Sequence, residues 1–183
     1  MIRDFLIIDC TGKNDSIALK TDSKFFFKKL QINLIKSEML AIDILTFFKE
    51  KNVVIDNKFS IIVNSGPGSF SGIRIALAVA KGIRLVNKVN IYSYNYFLLY
   101  AAPYLKDGIK IISVQKTNNF YYYSEGTFKG TYTFTIPEKI NSYCFEKENS
   151  IIVASQEIIN DEVFNDISPK KIKIAEFNLK NIE

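Results

Sequence analysis

Ser65-Gly-Pro-Gly-Ser-Phe-Ser-Gly-Ile-Arg74, continuing as Ile-Ala-Leu-Ala-Val-Ala-Lys-Gly-Ile83, reads as a strand end, a glycine-rich turn and the start of an alanine-rich helix. Phe59 to Asn64 supplies the strand, Gly66 to Gly72 the loop, and Ile73 to Asn87 the helix. Such a turn can face an anion, because Gly66, Gly68 and Gly72 permit positive φ or close backbone approach and the first N–H groups of a helix have no partner within it. Glycines so placed equally suit a tight turn packed on a sheet. Two phosphate motifs are excluded. A P-loop needs Gly-Lys followed by Ser or Thr where this loop has Gly72-Ile73, and the dinucleotide fingerprint is stretched by one residue and lacks its acidic ribose ligand about 20 residues on.

The segment around this loop also departs from the rest of the chain in charge. Between Gly66 and Lys106 there is no acidic residue, while Arg74, Lys81, Arg84, Lys88 and Lys106 are all cationic. Elsewhere Lys and Arg are mixed with Asp and Glu, so the net charge of +5 describes a solvated surface more than a nucleic-acid footprint. The 183 residues are 48% apolar, enough for a substantial core in one large domain or two small lobes. The chain has no histidine, which rules out a Ser-His-Asp triad, a His-activated Cys and any His-containing metal site. Cys10 and Cys144 stand far apart without a C-x-x-C spacing, as expected of reduced thiols in a cytoplasmic protein. The apolar run from Phe5 stops at Asp9, and no apolar stretch approaches the roughly 20 residues of a spanning helix, so no membrane association is expected.

Outward from the loop, the spacing predicts strands at Phe5 to Ile8, Ser16 to Lys20 and Phe25 to Lys29, an antiparallel meander joined by polar turns. A helix follows from about Ile35 to Lys51, with Leu40, Ala41, Ile44, Leu45, Phe47 and Phe48 on one broad face and Met39 and Ile42 outside it. Beyond the second helix come a short strand at Ile91 to Ser93 and an aromatic helical segment, Asn95 to Tyr104. A second meander is expected at Ile109 to Gln115, Phe120 to Glu125 and Thr131 to Ile136, then a strand at Ile151 to Ala154. After Gln156 only short segments and a Ser168-Pro169 break are legible. Each half thus opens with three strands, although the residues do not repeat.

The string Gly-Pro-Gly-Ser-Phe-Ser-Gly-Ile-Arg, followed by an alanine-rich helix with Lys-Gly, resembles the signature of the TsaB/YeaZ family, with Ser71 where the family has Thr. The order of elements from Phe5 to about Glu125 agrees with that resemblance, and Ser113-Val-Gln-Lys116 loosely matches a further family segment. The chain is shorter than family members usually are. The resemblance implies an α/β, actin-like ATPase (ribonuclease H-like) fold of two related lobes, here residues 1–106 and a shortened 107–183. It implies a non-catalytic scaffold, with no cofactor and no metal, in the complex that makes threonylcarbamoyladenosine on tRNA. The implied partners are the catalytic subunit TsaD, the ATPase TsaE and tRNA through the complex, with a homodimer when alone.

By the same resemblance the two long helices form the partner surface, through Met39, Ile42, Ile73, Ala76, Ala80 and Ile83 with the basic Arg74 and Lys81. Asp9, Thr11 and Gly12 occupy the place where actin-like ATPases hold nucleotide phosphate and metal through their first hairpin, and with Gly66, Gly68, Ser69 and Gly72 of the loop they are the candidate anion- or nucleotide-facing residues. They leave open an alternative, an independent nucleotide- or phosphate-binding enzyme of the actin and sugar-kinase class.

Overall fold

The computed structural model describes residues 4–12, 14–21, 24–30, 37–117, 119–128, 131–140, 150–165 and 167–179. It divides into two compact units, residues 1–95 and 96–183. This division and the lobe boundary expected at 106/107 differ by the aromatic helix and the turn after it.

In the first unit β1 (Phe5–Asp9), β2 (Ser16–Thr21) and β3 (Lys24–Lys29) form the antiparallel meander. Helix α1 (Ser37–Glu50) leads to β4 (Ser60–Asn64), and α2 (Phe70–Asn87) leads to β5 (Asn90–Tyr94). The sheet order is β3-β2-β1-β4-β5, with β4 parallel to β1 and β5 parallel to β4. Parallel neighbours need a crossover, which the two helices supply. Every residue of β1 and β4 is buried, as expected of strands covered on both faces.

The core of this unit joins Leu6, Ile8, Ile61 and Val63 of the sheet to Leu40, Ile44, Phe47 and Phe48 of α1 and to Ala76, Val79 and Ala80 of α2. Phe48 meets Phe59 edge to face at 5.8 Å. Leu45 was expected on the core face of α1 but is 61% exposed. It lies at the margin of the arc centred on Leu40 and Ile44, in line with Met39 and Ile42 at intervals of three. Ile35 and Lys36, the expected first residues of this helix, fall outside the described residues.

Helix α2 begins three residues before the expected Ile73. Ser69 is its N-cap, with Oγ accepting the Gly72 N–H at 3.2 Å. It ends where Lys88 turns left-handed at φ 58° and returns its N–H to the Arg84 carbonyl.

In the second unit α3 (Tyr96–Ala101) precedes β6 (Lys110–Thr117), β7 (Phe120–Phe128) and β8 (Tyr132–Phe134). Then come β9 (Glu138–Lys139), β10 (Ser150–Ser155) and β11 (Ile172–Ala175). The sheet order is β11-β10-β6-β7-β8, with β6, β7 and β8 antiparallel and β10 and β11 continuing parallel on the other side of β6. With the two-residue β9, which pairs with β7 beside this path, left out of the numbering, this is again 3-2-1-4-5, the ribonuclease H-like order, so the likeness between halves read from the sequence is one of topology. Where the first unit has the 18 residues of α2, the described residues between β10 and β11 of the second form the 3-10 turns Glu162–Phe164 and Pro169–Lys171. One cluster of its core joins Ile112, Val114, Ile152, Ala154, Ile158 and Phe164, and Tyr96, Phe97, Leu99, Ile111 and Val153 are buried as well. Among the described residues no helix is long and apolar enough to cross a membrane.

Candidate functional site

Asp9 ends β1 with a wholly buried side chain whose two oxygens are both engaged. Oδ1 accepts the Thr11 N–H at 3.1 Å and the Thr11 hydroxyl at 2.7 Å. Oδ2 accepts Asn64 Nδ2 at 2.8 Å and the Tyr94 hydroxyl at 2.9 Å. One carboxylate therefore ties together the ends of β1, β4 and β5. The same ties position the loop: Gly66 donates its N–H to Asn64 Oδ1, and Ser65 donates both N–H and Oγ–H to the Tyr94 carbonyl, each at 2.8 Å. Asn64 and Tyr94 were missed in the sequence. The available signal was a polar residue closing each of two parallel strands beside β1.

The glycines of the loop serve a close approach of backbones. The Ser69 N–H donates to the Thr11 carbonyl at 2.6 Å, a β-carbon on Gly68 would collide with that same oxygen, and one on Gly72 would collide with the Cys10 carbonyl. Gly66, at φ +105°, and Gly12, at φ +86°, occupy the left-handed region that favours glycine. Of the expected anion-facing residues, Asp9, Thr11, Gly68, Ser69 and Gly72 are thus brought into one cluster, in which they bind or press on one another. A carboxylate offers about four lone-pair positions, and four donors occupy those of Asp9. The arrangement is that of an acceptor engaged by the backbone and side chains around it.

Two nearby groups respond to this burial. Gly12 donates its N–H to Asp15 Oδ1 at 2.7 Å, yet burial, with the charge of Asp9 added, still holds the Asp15 carboxyl above its ordinary value. Burial, then Asp15 and Asp9, pushes the thiol of the buried Cys10 far up, which disfavours its thiolate.

At the matching end of the second sheet, Gln115 and Ser155 stand where the first has Asp9 and Asn64, and Asp161 lies close by, on Lys116 of β6 at 2.9 Å. Ser155 pairs with Ala175, and Gln115 lies two residues beyond Ser113, the partner of Val153. Ser113 Oγ, Gln115 Nε2 and Ser155 Oγ are buried there without a hydrogen-bond partner. No group of three or more His, Cys, Asp or Glu among the described residues is placed to hold a metal.

The second feature is the outer face of α1 and α2, and here the structure corrects the sequence reading. Ala76 and Ala80, expected at a partner surface, have no exposed area and sit in the core. Their small side chains let α2 lie close on the sheet and α1, so they offer a partner nothing. Ile73 and Ile83 are half-buried, Ile83 against the core. The exposed apolar side chains of α2 are Phe70, Leu77, Leu85 and Val86, of which Leu85 and Val86 are 85% and 80% exposed. Arg74, stacked on the Phe70 ring at 5.0 Å, and Lys81 are exposed among them, and Met39, Ile42 and Leu45 are exposed on α1. Ala78 and Gly82, one turn apart, are also exposed, and nothing lies within 4 Å of the position a Gly82 β-carbon would take.

No protein-family model matches the chain. Over 88 residues, 44% of this chain, it is 40% identical to the tRNA threonylcarbamoyladenosine biosynthesis protein TsaB of Buchnera aphidicola subsp. Baizongia pistaciae (strain Bp). The match spans 40% of that relative's length. YeaZ from Pseudomonas aeruginosa has the same fold with a TM-score of 0.64 at 14% identity, over 83% of this chain and 75% of that one. The crystal structure of an uncharacterized protein with similarity to peptidase YEAZ from Pseudomonas aeruginosa gives 0.69 at 14% identity, over 96% and 85%. The sequence match to a TsaB covers part of the chain, and the fold shared with YeaZ covers most of it.

Proposed function

We propose that this protein is a non-catalytic subunit of the cytoplasmic machinery that makes threonylcarbamoyladenosine on tRNA, docking through α1 and α2 onto the catalytic subunit TsaD. TsaE is the ATPase of the assembly, and tRNA is reached through the complex. The observation that carries this reading is the outer face of α2, where Leu85 and Val86 stand almost fully exposed beside an open Gly82. Burying a large apolar side chain is worth about 1.5–3 kcal/mol, so several left uncovered on two adjacent helices favour association. Mid-helix glycine costs roughly 1 kcal/mol against alanine, and nothing inside the chain needs the space it leaves. A partner helix approaching closely would use it. The identity to a TsaB over 88 residues supports the choice of assembly.

Against the alternative, an independent nucleotide-binding enzyme, stands the saturation of Asp9 by Thr11, Asn64 and Tyr94. The test mixes the purified chain with TsaD from the same genome and follows complex formation by size-exclusion chromatography, with Leu85→Glu as the variant. Expected is a complex with the wild type, loss of it with Leu85→Glu at unchanged circular dichroism, and no micromolar ATP binding by the chain alone. ATP turnover by the isolated chain, or a Leu85→Glu variant that binds TsaD normally, would sink the reading.

A further inference from the structure

We propose that the carboxyl-terminal end of the second sheet holds one internal water, bound by Ser113, Gln115 and Ser155, that joins strand ends there as the Asp9 carboxylate does in the first sheet. In the first unit the register sets Asp9, Asn64 and Tyr94 in one row across three parallel strands, closed by hydrogen bonds to a single carboxylate. The same row in the second unit is Gln115, Ser155 and Ala175, since Ser113 pairs with Val153 and Ser155 with Ala175. Alternation along the strands puts Ser113, Gln115 and Ser155 on one face, while Ile112, Val114, Ile152 and Ala154 share the apolar one. The three polar residues are 0%, 1% and 7% exposed, and Ser113 Oγ, Gln115 Nε2 and Ser155 Oγ have no hydrogen-bond partner among the described residues.

Buried donors left unmet cost free energy, so three on one face call for a common acceptor. Neighbouring side chains do not supply it. Ala175 has no polar side-chain atom, and Ser124, opposite Ser113, donates to the Thr135 carbonyl at 2.8 Å. Lys116 belongs to the other face, where it and Tyr121 donate to Asp161 at 2.9 Å and 2.6 Å. An anion in the row would therefore be a buried charge without a cation of its own, whereas water is neutral and both accepts and donates. Adjacent strands lie about 4.8 Å apart and alternate residues of one strand about 6.6 Å, spacings that let one oxygen meet all three side chains. Internal waters make about three hydrogen bonds, the number offered here.

The sign of a stability change tests this. Gln115→Met keeps the length of the side chain and removes its amide. With a water in the row, the variant deprives that water of a partner, and the urea midpoint is expected to fall. Without one, the variant replaces an unmet donor by an apolar group, and the midpoint rises or stays, which overturns the proposal. Ser155→Ala is expected to act in the same direction and decides the matter if Gln115→Met does not fold by circular dichroism. Because the three groups act through one water, Ser113→Ala/Gln115→Met/Ser155→Ala is expected to lose less than the sum of the three single losses; full additivity counts against a shared site. A crystal structure of the wild-type chain is expected to show one water within about 3.2 Å of Gln115 Nε2 and of at least one of the two hydroxyls. Direct hydrogen bonds among the three side chains would remove the need for it. A wild-type midpoint raised saturably by sodium formate over sodium chloride at equal ionic strength, and unmoved by formate in the triple variant, would put an anion in the place of water and overturn the proposal.

Discussion

Gly72, in the first turn of α2, lies against the carbonyl oxygen of Cys10 with no room between them for a β-carbon. Helix and strand end are thus fixed in register by backbone contact, supported by the Ser69 N–H on the Thr11 carbonyl. Gly72→Ala must move one of two backbones, both held by hydrogen bonds, and should cost about 3 kcal/mol or more, at or beyond the upper end for overpacking. Urea unfolding of the variant should show a midpoint displaced accordingly; an unchanged midpoint would mean that the loop has slack.

Tyr94 contributes to the same knot from the far side of β4. Tyr94→Phe keeps the ring and removes one of the four hydrogen bonds to Asp9, one made to a charged acceptor, and should cost about 2 kcal/mol. Thermal or urea unfolding measures this directly. A loss well below 1 kcal/mol would indicate that the bond contributes little beyond its aromatic packing.

Much of this was legible before the structure, and the parts that were not have identifiable causes. The meanders, the glycine turn and the two long helices follow from period-two and period-3.6 apolar patterns and from turn residues, which act locally. The phase of α2 was not legible, because Ala76 and Ala80 read equally well as a core seam or an exposed small-residue stripe. Only the neighbouring sheet decides between them. Leu45 on α1 lies at the margin of its apolar arc for the same reason. The partners of Asp9 were hidden because Asn64 and Tyr94 are 55 and 85 residues away along the chain. The first strand of each unit shows only its own polar end, Asp9 or Gln115, and gives no sign of what closes on it.

Asp15 gives a pH dependence whose sign is fixed by its raised carboxyl. The folded chain holds that proton more tightly than the unfolded chain, whose group titrates near the ordinary 3.8. As pH rises from 3.8 to the raised folded value, this group therefore lowers stability, and above that value its penalty is constant. Asp15→Asn keeps an oxygen for the Gly12 N–H and carries no charge, so it should be more stable than wild type at neutral pH and lose that advantage below pH 3.8. Urea midpoints of the two proteins across this range give the difference curve; a flat curve would rule out burial of a charged Asp15.

Gly82 is the glycine of α2 with the opposite character to Gly72, exposed and with open space around its missing side chain. Gly82→Ala should therefore stabilise the isolated chain, by up to about 1 kcal/mol from helix propensity alone. Gly82→Leu should also leave the isolated chain folded, since nothing in it stands in the way. If a partner helix passes close over this point, however, leucine holds the backbones apart, and the affinity for that partner should fall roughly tenfold or more, equivalent to at least 1.4 kcal/mol. The informative result is the opposition of the two measurements, unfolding free energy unchanged or raised and dissociation constant worsened. Equal affinity of wild type and Gly82→Leu for the partner would show that the partner does not approach α2 closely at Gly82, and would shift the contact toward Leu77 and Phe70 at the other end of the helix.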